Sequence, residues 1–335
     1  MIRSSLRYRD PVTTLTSSEG LVREGKRFFL STIYFSFSKF STYKCLISLI
    51  ALMLGRLRMT TDEALRTYNS LAHAIFSKDN KKWKGKDGLF KATTLEKKVQ
   101  EIVLEKKLGE LILDPSHQSR KGKTFVCAVP ANNMAYPRRF RTYSVRANAS
   151  ANCKIWEAAR ATTAAPVFFK RIDIGEEGQA KEQFIDGGLK CNNPANQVLE
   201  EARKIFGDDR LVRSLISLGT GHRGTIGLAK PDAFQKLLPT KLISVLKSIA
   251  TDCEDMANEL STRFINLEKF YFRFNVAHGA EGVSLEEWEK MGELTEHTKA
   301  YMQGAAVSKA IDDVVDILCN PREVRATLRI VCQSL

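Results

Sequence analysis

Few side chains in this sequence stand in patterns that could carry chemistry, and the first is a carboxylate in a glycine turn. Asp186-Gly187-Gly188 follows the apolar pair Phe184-Ile185. Taken alone, an Asp-Gly-Gly tripeptide is typical of a tight turn between two elements, because glycine adopts backbone conformations that other residues avoid. A carboxylate can act as a proton acceptor in such a turn where its surroundings raise its pKa.

Thiols and imidazoles are the second set of reactive groups. The cysteines are at positions 45, 127, 153, 191, 253, 319 and 332, an odd number with no Cys-x-x-Cys pair. This spacing disfavours a disulfide framework and a zinc ribbon, and it favours a reducing compartment. The five histidines show no His-x3-His or His-Glu-x-x-His spacing, so the sequence predicts no metal site.

A glycine-rich stretch at 219–224 matches Gly-x-Gly-x-x-Gly directly after a predicted strand, which raises a dinucleotide-binding alternative. That motif also needs a helix that opens at the glycines and an acidic residue about 20 positions further on. Residues 225–231 do not form a clean helical pattern, and 241–247 contain no acid. We interpret the stretch as a turn that ends a strand, and we expect no cofactor.

The elements that would position these residues alternate between helix and strand. Thr60-x-x-Glu63 is a capping box that opens a helix. Helices are also predicted over 94–107 and 154–164 and after Asn193-Pro194, with strands over 124–129, 140–145, 211–218 and 271–276. Residues 211–218 are almost continuously apolar, as expected for a strand of a parallel sheet that is buried on both faces. The order predicts an α/β domain.

Composition limits the classes of function. The net charge of +14 favours encounters with anionic surfaces. Nucleic-acid binding is disfavoured, because the most basic stretch, Lys81–Lys98, contains just two aromatic residues. The longest apolar run, Cys45–Leu54, has ten residues, well below the roughly 20 that span a bilayer. We expect a cytoplasmic protein whose membrane contact, if any, is peripheral.

Six ordered blocks resemble the patatin-like phospholipase family, and in particular fungal patatin-like acyl hydrolases. They are LIALMLGRLRM at 49–59, TFVCAVPANNM at 124–134, WEAARATTAAPVFF at 156–169, FIDGGLKCNNPANQVLEEA at 184–202, SLISLGTG at 214–221 and FYFRFNV at 270–276. The resemblance implies a three-layer sandwich with a mostly parallel sheet flanked by helices, its N-terminal part incomplete. It implies a patatin-like domain over 45–320, an unassigned segment over 1–44 and a tail over 321–335.

The family resemblance also implies a chemistry. Patatin-like enzymes hydrolyse lipid acyl esters with a Ser-Asp dyad, in which a serine attacks the ester carbonyl and an aspartate in an Asp-Gly-Gly or Asp-Gly-Ala turn is the base. Asp186 has that place in this chain, with Gly187 and Gly188 as the turn. The substrates implied are acyl esters of phospholipids or acylglycerols, and no cofactor is implied. The sequence gives no indication of oligomeric state.

The serine half of this machinery departs from the family pattern. The family has a Gly-x-Ser-x-Gly elbow and a glycine-rich oxyanion loop. Counting back from 49–59 puts the serine position at Cys45 and the glycine positions at Tyr43 and Ile47. We interpret Cys45 as an inert buried thiol and expect little or no hydrolysis. Two explanations remain open: an incorrect or truncated start, which we favour, and a natural pseudoenzyme.

A non-catalytic alternative remains from another class, a protein that binds anionic lipid or membrane surfaces. The basic residues that could do this are Lys78, Lys81, Lys82, Lys84, Lys86, Arg138, Arg139 and Arg141. Such a run of charge is more often a solvated face than a binding site.

Overall fold

The structure, a computed structural model, describes residues 15–17, 30–36, 44–82, 88–114, 122–146, 152–166, 168–176, 178–191, 193–219, 254–276, 291–320 and 326–333. The strands are β1 (Leu15–Ser17), β2 (Leu30–Ser36), β3 (Gly122–Lys123), β4 (Phe125–Pro130), β5 (Arg138–Arg141), β6 (Ile172–Ile174), β7 (Glu182–Asp186), β8 (Leu211–Gly219), β9 (Tyr271–Phe274) and β10 (Ala326–Thr327). The helices are α1 (Lys44–Ala51), α2 (Thr61–Phe76), α3 (Ala92–Lys106), α4 (Ile155–Thr162), α5 (Ala195–Phe206), α6 (254–263), α7 (Met291–Gln303), α8 (Ala305–Cys319) and α9 (Leu328–Val331). The predicted α/β class is confirmed.

One sheet is mixed and is built around β8. Strand β8 pairs in parallel with β2 along its length and with β9 from Leu215 to Leu218. Strands β1, β3 and β10 extend this sheet through antiparallel pairs. Two of its strands, β1 and β2, come from the segment over 1–44 to which the sequence assigned no structure.

The second sheet holds four antiparallel strands in the order β5-β4-β7-β6. Ala128 of β4 stands opposite Asp186 at the end of β7, and Pro130 stands opposite Phe184. Because parallel pairing among the described strands is confined to β2–β8 and β8–β9, the expected mostly parallel sheet is not confirmed. Short connections join β4 to β5 and β6 to β7, which suits antiparallel neighbours, whereas α4 lies between β5 and β6.

A helical layer packs around β4. Helix α1 continues into a π-helical turn, Leu52–Arg56, and it contacts α4 and β4. Gly55 lies so close to Thr124 that a Cβ at this position would overlap the threonine side chain. Buried Arg56 donates to the carbonyl oxygens of Leu108 and Leu111 at 2.8 and 2.7 Å, and so holds the chain that follows α3.

The predicted start of α2 is confirmed, and its predicted buried face is confirmed except at one position. The Thr60 hydroxyl oxygen accepts a hydrogen bond from the amide of Glu63 at 3.2 Å, the first half of a capping box. Five of the six predicted core residues are buried, namely Tyr68, Leu71, Ala72, Ile75 and Phe76. Leu65 is 58% exposed, so its placement in the core was wrong.

Two predicted strands are shifted along the chain. The strand predicted over 140–145 is observed at Arg138–Arg141, and the one predicted over 124–129 is observed at Phe125–Pro130. Pro130 ends β4 as its last paired residue, a position where its missing N–H costs little. No helix in the described part of the chain has both the length and the apolar character needed to cross a membrane.

Candidate active site at the Asp186 turn

Asp186 is the last residue of β7 and is held at both its backbone and its side chain. Its amide donates to the carbonyl oxygen of Ala164, just after α4, at 3.1 Å. Its Oδ1 accepts a hydrogen bond from the amide of Gly188 at 2.6 Å. The predicted turn at 186–188 is therefore present, as a short 3-10 turn over Gly187–Leu189.

Burial makes the Asp186 carboxyl a stronger proton acceptor than an ordinary aspartate. The residue is 9% exposed. Loss of hydration raises the pKa of Asp186 to about 7, although the hydrogen bond from Gly188 opposes the change. The Gly188 amide is the single hydrogen-bond donor to this carboxylate among the described residues. Oδ2 therefore keeps its lone pairs for another donor.

Steric contacts explain why both Gly187 and Gly188 of the turn are glycine. A Cβ on Gly187 would overlap the carbonyl oxygen of Cys127 on the neighbouring strand β4. A Cβ on Gly188 would lie 3.1 Å from Oδ1 of Asp186, which is tighter than ordinary contact. The turn therefore packs directly against β4, and Gly187 is the stricter requirement.

Two thiols lie beside this turn. The Cys191 amide donates to the carbonyl oxygen of Gly187 at 2.8 Å, and both Cys127 and Cys191 are buried. A hydrogen bond that the Cys191 thiol donates to Cys127, together with burial, raises the pKa of Cys191 well above its ordinary value. A neutral, buried thiol is a poor nucleophile. Sequence reasoning did not bring these two cysteines together, because 64 positions separate them.

Arg160 holds the segment that carries the Ala164 carbonyl. This buried guanidinium donates from Nε to Glu96 on α3 at 3.1 Å and from Nη2 to the carbonyl oxygen of Lys170 at 2.7 Å. It also lies 5.9 Å from the centre of the Phe169 ring. The small residues of α4 let this helix pack closely, as expected, but the anchoring role of Arg160 was not predicted.

A buried ion cluster joins β5 to α5, the helix that follows the turn. Glu201 is 0% exposed and accepts from Arg141 at 2.6 and 2.8 Å, from Arg139 at 3.0 Å and from the Tyr143 hydroxyl at 2.7 Å. Burial would raise the pKa of Glu201, but these hydrogen bonds and the two arginine charges outweigh it and lower the pKa.

The ion cluster corrects the predicted basic surface. Arg139 and Arg141 are buried partners of Glu201, so these two were wrongly grouped with the lysines as a lipid-facing set. Arg138 is half-buried and pairs with Glu182 at 3.1 Å. Lys78 and Lys81 are exposed, and Lys82 is half-buried. Lys84 and Lys86 lie outside the described residues.

The position predicted for the nucleophile, Cys45, falls on the second residue of α1. Its side chain, Tyr43 and the glycine-rich stretch beyond Gly219 lie outside the described part. Helix α1 contacts α4 and β4, and the Asp186 turn contacts the same two elements. Across the described ranges, no group of His, Cys, Asp and Glu side chains could hold a metal ion.

Comparison with known proteins assigns this region to a family. Residues 47–199 match the family model of the patatin-like phospholipases. Calcium-independent phospholipase A2-gamma of Mus musculus is 28% identical over 279 residues, which are 78% of this chain and 34% of that protein. The Homo sapiens protein of the same name is 28% identical over 275 residues, 75% of this chain and 32% of its own.

A shorter similarity extends to a parasite protein. Patatin-like phospholipase 1 of Plasmodium falciparum is 32% identical over 137 residues, which are 37% of this chain and 20% of that protein. The chain thus spans about a third of the length of the phospholipase A2-gamma proteins that it matches.

Proposed function

This chain belongs to the patatin-like phospholipase family, and we propose that it derives from a lipid acyl hydrolase in which Asp186 is the catalytic base. The observation that carries this proposal is the state of the Asp186 carboxyl. It is buried, its pKa is about 7, and one oxygen is fixed by Gly188 while the other is available to a donor. A base with a pKa near the working pH combines a useful ionised fraction with adequate strength.

The proposed reaction is acyl transfer from a lipid ester to a hydroxyl and then to water. Asp186 accepts the proton of the hydroxyl as its oxygen bonds to the ester carbonyl carbon. The tetrahedral intermediate then collapses, and the alcohol leaves with the proton from Asp186. Water attacks the acyl-enzyme in the same way, which releases the fatty acid and restores the hydroxyl and the Asp186 carboxylate.

We further propose that the chain as sequenced hydrolyses esters weakly or not at all. Position 45 carries cysteine, with tyrosine and isoleucine at the two positions where the family has glycine. Side chains at 43 and 47 would obstruct a tight strand-to-helix turn. The loss of a single oxyanion donor costs about a hundredfold to a thousandfold in rate, so a distorted elbow is enough to suppress turnover.

The test restores the elbow and then removes the base. The variant Tyr43→Gly, Cys45→Ser, Ile47→Gly is treated with a fluorophosphonate, and modification of the introduced serine is followed by mass spectrometry. We expect no labelling of Cys45 in the unchanged chain. In the elbow variant we expect labelling whose rate rises with pH through about 7, since ionised Asp186 is the base.

Two results decide the matter. Adding Asp186→Asn to the elbow variant should reduce the labelling rate by at least about a hundredfold, because the amide cannot accept the proton. Equal labelling with and without Asp186→Asn would show that Asp186 is not the base. Ester hydrolysis by the unchanged chain that depends on Asp186 would retain the base and overturn the proposed weak activity.

A further inference from the structure

The carboxyl ends of the parallel strands form one edge of the mixed sheet. Ser36 at the end of β2 pairs with Gly219 at the end of β8, and Leu218 pairs with Phe274 at the end of β9. Ligands of open α/β sheets bind in the crevice outside these carboxyl ends. The side chain of Arg273, near the end of β9, lies at this edge.

One side of the Arg273 guanidinium is fixed to the sheet. Nη1 donates to the hydroxyl oxygen of Ser217 at 3.0 Å, and Ser217 is fully buried. A Cβ on Gly219 would come within 2.9 Å of Nη2, so the guanidinium packs against the glycine backbone. The Arg273 side chain is 12% exposed, and these contacts hold its orientation.

The other side of the guanidinium has donors with no acceptor. Nε and Nη2 are buried and make no hydrogen bond within the described part of the chain. The carboxylate Oε1 of Glu254, at the first described residue of α6, lies 4.0 Å from Nη2, which is beyond hydrogen-bond distance, and it also lacks a donor. Buried polar groups are normally paired, so two unmet donors and a nearby acceptor require an explanation.

We propose that the Nε–Nη2 edge of Arg273 binds a phosphate group. These two nitrogens form one side of the guanidinium fork, whose parallel N–H groups match two oxygens of a phosphate or phosphodiester. Glu254 balances the arginine charge without filling its donors, so an entering phosphate gains both hydrogen bonds. The phosphate of a lipid headgroup and free phosphate share this chemistry. The phosphate site is tested by binding and not by hydrolysis.

The experiment titrates the whole chain by calorimetry with glycerophosphocholine, with inorganic phosphate and with glycerol as the phosphate-free control. We expect saturable binding of one or both phosphate compounds and none of glycerol. Tighter binding of glycerophosphocholine would identify a headgroup site, and equal or tighter binding of inorganic phosphate would identify a site for free phosphate. Either result supports the proposal, and the absence of saturable binding of both compounds would overturn it.

Three variants test the residues. Arg273→Lys keeps the charge and loses the fork, so binding should weaken at least about tenfold. Glu254→Gln keeps nearly the same side-chain shape but removes a negative charge that repels the bound phosphate. Binding should therefore tighten at least about threefold. The control is Arg138→Lys, a half-buried arginine whose guanidinium pairs with Glu182 at 3.1 Å, and it should leave binding unchanged.

The variants also allow for misfolding. If Arg273→Lys unfolds the chain, Glu254→Gln still decides, because its effect has the opposite sign to a loss of structure. Binding that is indifferent to both Arg273→Lys and Glu254→Gln would show that phosphate binds elsewhere. None of these outcomes depends on ester hydrolysis, so failure of the phosphate site and failure of the proposed function can be told apart.

Discussion

At the scale of single residues, the Asp186 carboxyl links stability to pH. Its folded pKa of about 7 lies above the ordinary value of 3.8, so the folded state holds a proton that the unfolded state has released between these pH values. Stability therefore falls as pH rises from about 4 to about 7. The rise of the Asp186 pKa from 3.8 to about 7 corresponds to roughly 4 kcal/mol at most.

Replacing the Asp186 carboxyl by an amide should remove the loss of stability that ionisation of the buried carboxyl causes. Asp186→Asn removes the buried charge and retains an oxygen for the Gly188 amide, so we expect it to be more stable than the natural chain at pH 8, by about 1–4 kcal/mol. At pH 4 the advantage should nearly vanish, because Asp186 is then protonated in the folded chain. Urea unfolding at both pH values measures this, and an equal difference at pH 4 and pH 8 would contradict the raised pKa.

The two turn glycines should respond differently to substitution. Gly187→Ala places a methyl group against the Cys127 carbonyl of β4 and forces the strand or the turn to move, so a loss of about 2–4 kcal/mol is expected. Gly188→Ala should cost less, since its Cβ would meet the Asp186 side chain at 3.1 Å. Gly292→Ala on α7 has open space and a helical backbone, and serves as the neutral control. Thermal unfolding ranks the three, and equal losses at 187 and 188 would be inconsistent with the strand contact.

At the scale of elements, Glu201 connects α5 to the antiparallel sheet. Glu201→Gln would leave two buried arginine charges without their main counter-ion, which typically costs about 3–5 kcal/mol. The adjacent Glu200→Gln is a matched control, because Glu200 also pairs with Arg139 but is 41% exposed, and it should cost less than about 1 kcal/mol. Urea denaturation of both variants at pH 7 tests this. A loss at position 200 as large as that at 201 would show that burial of the pair is not the cause.

Sequence patterns predicted elements where the information is local. The capping box at Thr60 and the continuous apolar run of β8 gave the right element types, because caps and buried strands depend on neighbouring residues. The expectation that Asn193 caps α5, with Pro194 as its first residue, was wrong by one position, because Pro194 itself is the N-cap; the Asn193 side chain accepts from the Ala195 amide at 3.4 Å just before the helix. Leu65 was misassigned because the helical periodicity identifies the apolar face of α2 but does not show which edge of that face a neighbouring helix covers.

The parts of the site that sequence did not reveal depend on distant pairs. Glu201 was passed over on α5 because a charged residue reads as solvent-facing unless its partners are known, and Arg139 and Arg141 are about 60 positions away. Their alternation on β5 places both on one face of the strand, a signal that could have suggested a shared buried partner. The turn at Asp186 was found because its motif is contiguous, whereas the raised pKa needed the burial that the fold supplies.

At the scale of the whole molecule, α1 is linked to elements of both sheets. It follows β2, whose carboxyl end lies at the edge that holds Arg273, and it packs on β4, the strand against which the Asp186 turn rests. The position of the family nucleophile, at the start of α1, is therefore connected by the chain to β2 of the mixed sheet and by packing of its helix to β4 of the antiparallel sheet. An elbow that failed to form at 43–47 would leave Asp186 and its pKa intact, so the base can be tested in the chain as sequenced.

The net charge of +14 is also a property of the whole chain, and it leads to a prediction about membranes. A basic surface attracts anionic lipid through screened electrostatics, so binding should weaken steeply between about 0.05 M and about 0.5 M salt. In vesicle sedimentation we expect retention on vesicles that contain phosphatidylserine and little on pure phosphatidylcholine. Retention that is equal on both vesicles, or that is insensitive to salt, would rule out an electrostatic attachment.

The same assay shows whether vesicle binding depends on one local group of lysines or on the net charge of the whole chain. If the stretch from 78 to 86 is the contact, neutralising Lys78, Lys81, Lys82, Lys84 and Lys86 to glutamine should abolish retention, since each lysine near the surface contributes about 1 kcal/mol. The control removes the same charge from exposed lysines elsewhere, namely Lys97, Lys107, Lys204, Lys299 and Lys309. With Arg139 and Arg141 buried against Glu201, we expect the first variant to lose more binding than the control. Equal losses would mean that the net charge, rather than one face, attracts the membrane.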